Sequence, residues 1–595
     1  LEFQAILGDT VSARDDAEAS ADLAASYVVA GYLGLWEPGL VFSKKNEHAL
    51  YEGDYYQPAS GVTLPYTAAS SDPTQSPDNA NVEPFIDVNT ANLGESTVTS
   101  TGSTTARTLE DRFNDITYAE DYGLVLDGVT DNQPQIMTAI AATKPGGILL
   151  LPSGRIYLNN TITVLGKNIT ILGSGATLIR GGTVDAYRDH IRLEDCHTTI
   201  ENLNFEKTYG FDLSLRACIE LVGSGRHDIS NVYSYKCADL IYLKDLDKNA
   251  IVNASNVSGF NTRLIAMDSA NISKGGVTVT NLLCIGGDDA IDVSAGSITV
   301  RGFRTYRMCG RNMKKGAQGD GSVVSINDFY FEENYYTHRI ALSEQQAPFS
   351  MDDTLTGLTS GAIANLQVAK GYYDNSLYIA LVEGSANFQD GETISNQLGE
   401  TAIIITVTAN GYGKESIGQT GEGLQSFNLS HGYIDARIGQ GISFPIGGKV
   451  NVNDVQIDGC SGGSSVRLTD CYGIISGLRI TNHKSSDRVI LQEGSNSNMD
   501  YIGIVILDCE GEGFRSFSGS ARFTNILIDG CSGRGVVFQS GDDNHIIGGT
   551  IKNIGGGNRP WEVKVDSVNT LISNIRYTGF PSNGTATVSA TIDMN

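Results

Sequence analysis

The chain has 595 residues, with 68 Asp and Glu against 41 Lys and Arg, for a formal net charge of −27. Such a length exceeds one compact core and allows about three or four units. So acidic a surface repels phosphate backbones and anionic lipid, which excludes nucleic acid and membrane insertion; it would repel an anionic polysaccharide too, unless basic residues gather where it binds. Glycine is abundant (69 residues) and proline scarce (13), which suits many short strands joined by tight turns. The nine cysteines fall singly, with no CxxC pair, and read as buried thiols of a chain that folds in a reducing compartment. No segment approaches the ~18 apolar residues of a transmembrane helix. No signal peptide is visible, and Leu1-Glu2-Phe3 in place of an initiator Met reads as a cloning remnant with the natural start further upstream. The eight His form no HExxH and no zinc-like cluster, so no metal and no cofactor are expected.

Thr10 to Leu35 is Ala-rich with Asp and Glu early, which predicts a helix, and residues 1–35 a helical neck. Its apolar stripe through Val11, Ala17, Ala21, Ala24 and Val28 is thin. It fits either a surface helix or a short parallel bundle between identical subunits. Residues 36–106, rich in Tyr, Pro, Ser and Thr with strand-like pieces, read as a small β-rich head or linker, with Pro73 to Val82 a loop.

From residue 107 the texture changes. Asp127-Gly128-Val129-Thr130-Asp131 makes a turn, and Asn132 to Thr143 a helix, with Pro134 in its first turn and Gly146-Gly147 as its stop. A buried strand, GILLLP, and Gly154 follow. An Asn or Gly then opens a short apolar strand repeatedly, at Asn202, Asn231, Asn256, Asn281, Gly302 and Asn327, in steps of 29, 25, 25, 21 and 25 residues. Segments ending at Cys460, His483, Cys509, Cys531, Ile554 and Thr578 repeat in steps of 23, 26, 22, 23 and 24. Three strands of about five residues plus three turns need a period in the low twenties, so the repeats predict a three-sided parallel β-helix over 107–340 and 421–580, with a tail at 581–595. Between the two blocks, FSMDDTLTGLTSGA at Phe349 is echoed by FQDGETISNQLGETA at Phe388, which predicts a small all-β insertion at 341–420.

Aligned on the leading Asn or Gly, the rungs stack their residues in columns ~4.8 Å apart. The position four residues on is bulky (Tyr235, Phe260, Ile285, Tyr306, Phe331) and is expected to point inward. Beyond it, Asp239, Arg263 and Asp288/Asp289 form a ladder on one edge, with Arg307, Glu332 and Glu333 above and Glu206 below. Sugar-bond hydrolysis requires two carboxylates, ~5–5.5 Å apart for retention or ~6.5–9.5 Å for inversion. Asp288, Asp289, Glu206, Glu332, Glu333 and Asp239 are therefore the candidate catalytic residues, and Lys236, Arg263, Tyr306 and Arg307 the candidate substrate contacts. With His338, those four are also the groups from which a β-elimination lyase would draw its base.

The order of DG-V-TD turn, short helix, G-x-L-x-L-P-x-G-x-Y strand and repeating strands resembles the start of the pectate-lyase-like right-handed β-helix, where the helix caps the open end of the solenoid. Gly287-Asp288-Asp289 resembles the GDD of polygalacturonase-type glycosidases on that fold. Asn261-Thr262-Arg263 carries Arg where that family has Asp, and its GHG and RIK are missing. The insertion resembles small β modules of phage tail proteins, and the whole layout of neck, head, capped β-helix and inserted module resembles a bacteriophage tailspike. The tailspike resemblance implies a homotrimer of side-by-side β-helices that cuts a bacterial surface polysaccharide, capsule or O-antigen. It also implies attachment to phage tail or baseplate proteins through the N-terminus, synthesis in the host cytoplasm and action outside the cell as part of the virion. A polysaccharide lyase and a receptor-binding fibre that holds glycan without cutting it are the alternatives.

Overall fold

The computed structural model describes residues 32–578, except chiefly 44–47, 75–80, 85–96, 99–106, 109–114, 181–188, 208–216, 269–275, 316–321, 333–337, 344–348, 371–375, 410–415, 420–423 and 556–559, and some single positions including Lys236 and Asp288. The chain divides into two compact units, 1–115 and 116–595.

In the first unit, strands Tyr32–Leu35, His48–Tyr51, Asp54–Pro58 and Val82–Pro84 form one sheet in that order. Phe42, Ala49 and Ala68 make a small core. Tyr32–Leu35, the end of the expected neck helix, is thus a strand, paired parallel to His48–Tyr51. Gly31 and Gly34 weaken a helix there, and an extended partner takes the backbone hydrogen bonds instead. The rest of the expected neck lies outside the described residues.

The second unit is the parallel β-helix. Helix Gln133–Ala142 has Pro in its first turn and buries Ile136, Ala139 and Ile140. These join Leu149 and Leu151 in the continuous core, so the helix covers the first rungs. Asp127–Asp131, expected as a turn, is a strand paired with Gly154–Leu158, bent at Gly128 with φ 74°. Asn132 Nδ2 donates to the Val125 and Thr130 carbonyls, both at 2.8 Å, and its Oδ1 accepts from the Val125 N–H at 2.7 Å, which ties this segment to the helix. Beyond the cap, the turns build one 14-stranded parallel sheet and one 20-stranded sheet of longer strands.

The long strands bend where one residue adopts positive φ. Asn202, Asn231, Asn256, Asn281 and Gly302 do so in successive rungs, which is why the repeat opens on Asn or Gly. Each long strand therefore covers two sides of the prism, and the short strands cover the third. Asn281 Nδ2 donates to Asn256 Oδ1 at 3.0 Å, and Asn256 Nδ2 to Asn231 Oδ1 at 2.9 Å. Asn256→Ala is expected to cost about 2 kcal/mol, from a left-handed alanine and two lost ladder bonds at an exposed site. A urea denaturation midpoint equal to that of the parent chain would refute this role.

Two register expectations change. In the next rung the left-handed residue is Asp328, not Asn327, so Tyr306 lies beside Glu332. At the C-terminal end Ile551 pairs with Tyr577 rather than Ile575. Tyr235, Phe260, Ile285 and Tyr306 also face outward, half-buried. The inward residues there are Ser234, Gly259, Cys284 and Thr305, all buried. The interior is tight at these rungs, where a Cβ on Gly259 would meet Leu264 Cδ2 at 2.8 Å and Ser234 Oγ at 2.9 Å, although the same inward column holds Phe205 before them and Phe331 after. Large rings also fill the interior further along, as in the Tyr501–Phe523 stack at 4.6 Å. The eight described cysteines are free and buried, and burial pushes the Cys460 and Cys471 thiols up to about 12.

After strand Ser322–Glu332 the chain leaves the solenoid for a closed six-stranded barrel, from His338–Leu342 to Thr401–Ala409. The barrel has its own core, which includes both echoed phenylalanines, Phe349 and Phe388. Its first and last strands pair antiparallel, His338 beside Ala409. The solenoid then resumes at Ile417–Gln419, paired with Met313–Lys315, and Leu424–Asp435, paired with Ser322–Glu332.

Candidate functional site

Past the left-handed corner, the outward side of the long strands carries two columns. One runs Tyr233, Ser258, Leu283, Arg304, Tyr330, Tyr433 and Gln456. The other runs Glu206, Tyr235, Phe260, Ile285, Tyr306 and Glu332. Phe331 pairs with Ile434, so Asp435 follows Glu332 in the next rung, and Asp458 follows Asp435. Tyr235 stacks on Phe260 at 5.4 Å, and Tyr330 on Tyr433 at 5.2 Å and 19°. Tyr330 is 39% exposed, so its ring is open to a ligand. Burial raises the Tyr330 phenol, and Glu332, Tyr306 and Asp435 beside it raise it further. This cluster has the ingredients of a sugar site: flat apolar rings for pyranose faces, and the half-buried Glu332 with Asp435, only 5% exposed, on the neighbouring strand ~4.8 Å away. Asp458 is engaged elsewhere, since its Oδ1 accepts from Thr481 Oγ1 at 2.6 Å and Asn482 Nδ2 at 2.8 Å.

Around the next corner lies a ladder of charge. Arg263 grips Asp239 with Nε and Nη2 at 2.5 and 2.9 Å, and reaches Asp292 with Nη1 at 3.0 Å. Lys314 Nζ lies 2.9 Å from Asp292 and 3.8 Å from Asp289, whose Oδ1 accepts the Arg311 N–H at 2.9 Å. Every carboxylate of this ladder therefore faces a cation or an N–H donor, and the Asp239 side chain is only 3% exposed.

Nearer the cap, Asp189 and Glu220 form a second buried acidic pair. Glu220 takes Arg192 Nη1 at 2.8 Å, and Asp189 Oδ1 accepts the Ala217 N–H at 2.9 Å. Burial, then the charge of Glu220, raises Asp189 to about 8. A raised carboxyl favours the fold fully below its unfolded value, near 4, and that contribution is lost as pH rises towards 8. Asp189→Asn keeps the donor to Glu220 and the acceptor for Ala217, so its stability should gain on the parent as pH rises from 5 to 8.5. Thermal melts of the two proteins that run parallel over that range would disprove the assignment.

Of the residues singled out from sequence, Glu332 and Tyr306 share the aromatic face, and Asp239, Arg263 and Asp289 share the ladder. Glu206 lies in the Glu332 column but five strands away, roughly 24 Å, and pairs with Arg155 at 3.1 Å. Arg307 sits at the corner with φ 54°, its N–H on the Glu332 carbonyl at 3.2 Å. Asp288, Glu333 and Lys236 lie outside the described residues. Asp435, Tyr330, Asp292 and Lys314 were missed. Asp435 had a signal: Asp328-Phe-Tyr-Phe-Glu332, His431-Gly-Tyr-Ile-Asp435 and Asp454-Val-Gln-Ile-Asp458 are one repeat, interrupted by the barrel.

The geometry defines a capped parallel β-helix with an aromatic, carboxylate-bearing outer face. The sequence matches no protein-family model, and no curated protein matches it. Among solved structures the chain is similar to tailspike protein 3 of bacteriophage CBA120, at 13% identity and a TM-score of 0.36, over 96% of this chain and 77% of that one. It is also similar to ORF18 of Geobacillus virus E2 (10% identity, TM-score 0.20, 90% and 71% of the two chains). A third is the catalytic unit of an α-1,3-glucanase from Streptomyces thermodiastaticus (12% identity, TM-score 0.26, 80% and 67%).

Proposed function

We propose that this chain is a phage tailspike that recognises and hydrolyses a bacterial surface polysaccharide, capsule or O-antigen, on the outer face of Ser297–Tyr306, Ser322–Glu332 and Leu424–Asp435. The observation that carries this reading is the open Tyr330–Tyr433 stack with Glu332 and Asp435 in the adjoining column. A sugar ring stacked on the tyrosines brings a glycosidic bond over the two carboxyl groups. One protonates the leaving oxygen, and the other attacks the anomeric carbon or activates water. The strand spacing of ~4.8 Å is of the order of the separation in retaining enzymes. In this reading three copies assemble side by side, the N-terminus joins the phage tail or baseplate, and the protein is made in the host cytoplasm and acts outside the cell.

The test is incubation with purified polysaccharides from a panel of host serotypes. Released oligosaccharides with new reducing ends and no unsaturated uronate are the expected result. An unsaturated uronate in the products would make the chain a lyase, and capture without fragments would make it a binding fibre; either result ends the hydrolase reading.

A further inference from the structure

We infer that the glycan held on this face is anionic and that Arg304 selects it; the inference rests on the polysaccharide reading above and names its substrate class. The starting point is an imbalance of charge. The stretch Ser297 to Lys315 holds six of the 41 Lys and Arg residues and no Asp or Glu, in a chain of net charge −27. The structure divides these six by direction. Lys315 is fully buried in the interior, its Nζ on the Ser294 carbonyl at 2.9 Å, and burial drives it down to about 8. Lys314 is taken up by Asp292 and Asp289. Arg307 and Arg311 are half-buried, their backbone N–H groups on the Glu332 carbonyl and the Asp289 carboxylate, and each makes further contacts. Arg301 and Arg304 remain exposed, and neither makes an ion pair with a described residue.

Arg304 stands in the aromatic column, between Leu283 and Tyr330. It is one strand before Tyr330 and Glu332, ~4.8 Å along the solenoid. Several other exposed arginines of this acid-rich chain are paired, Arg155 with Glu206, Arg467 with Glu493 and Arg522 with Asp500, whereas Arg479 and Arg576, like Arg304, have no ion pair with a described residue but do not adjoin the tyrosine stack. A guanidinium with no such partner among the described residues, next to a sugar-stacking ring, presents a planar fork to an outside oxyanion. The matching ligand is a sugar carrying a carboxylate or phosphate, held on Arg304 while the neighbouring glycosidic bond lies over Glu332. The basic turn also offsets, at the contact, the long-range repulsion between a polyanion and the acidic protein.

The experiment measures binding and cleavage of purified capsular polysaccharides of known composition, some bearing uronic acids, some phosphodiesters and some neutral, by the parent protein and by Arg304→Gln. The bound glycans should be anionic, and Arg304→Gln should weaken them about tenfold and flatten the dependence on salt. Carboxyl reduction of a bound uronate glycan should reproduce that loss for the parent and leave Arg304→Gln unchanged. A phosphodiester glycan should resist carboxyl reduction but still respond to Arg304→Gln. A neutral glycan that is bound and cut equally by both proteins overturns the anionic class and leaves the polysaccharide reading standing. Failure of both proteins to bind any glycan overturns both.

Discussion

Glu332→Gln, and separately Asp435→Asn, should slow depolymerisation by about 10²–10⁴-fold, the usual contribution of a positioned acid or base, with glycan capture kept. Each substitution preserves the shape and hydrogen-bonding length of the side chain and removes only its ability to ionise and carry a proton. Tyr330 and Tyr433 still stack, so affinity should move little while turnover collapses. The double variant should be scarcely slower than either single one, because the two groups act as a unit. Glu206→Gln serves as the control: it shares the column, but at roughly 24 Å it cannot act with Glu332 on one bond. Normal turnover by both Glu332→Gln and Asp435→Asn would eliminate this pair.

Arg263→Met should destabilise the β-helix by about 3–5 kcal/mol, the range for breaking a buried ion pair on one side. Arg263 bridges Asp239 and Asp292, on strands either side of its own. Removing it leaves two nearly buried carboxylates, of which Asp292 keeps Lys314 alone as a cation among the described residues. Methionine replaces the aliphatic stem, so the loss reports charge rather than volume. Arg263→Lys should recover only part of it, since an ammonium cannot match the two-pronged contact with Asp239. A change in urea midpoint equivalent to under about 1 kcal/mol would mean that the ladder is not needed to hold these turns together.

The architecture was legible because each rung repeats the same physical problem. A left-handed corner demands Asn, Asp or Gly, and the apolar strands between corners repeat with it, so period, cap and insertion all follow from residue types. The facing of individual side chains was less legible. Tyr235, Phe260, Ile285 and Tyr306 are large and apolar enough to pass for core. They face outward because the left-handed residue sets the alternation of the strand that follows, which turns Ser234, Gly259, Cys284 and Thr305 inward in their place. The Asn327-Asp328 pair offers two residues suited to the corner, and the structure takes the second, which moves Glu332 into the Tyr306 column. The ladder was half legible: a stacked alignment brings Asp239 to Arg263, but Asp292 and Lys314 belong to short strands outside that alignment.

The two proposed carboxylates meet only because the barrel returns the chain to where it left. Contacts between these two strands, such as Asn428 with Ser325, span 103 residues, against 25 for an ordinary rung contact such as Asn256 with Asn231. A flexible excursion of that length would make closing the rung about 1 kcal/mol harder. With His338 and Ala409 clasped as neighbouring strands, the barrel shortens the effective loop to the connections on either side of it. The integrity of the proposed sugar site is thereby linked to a separate hydrophobic core, one that holds the register of Glu332 and Asp435 without contributing to their chemistry.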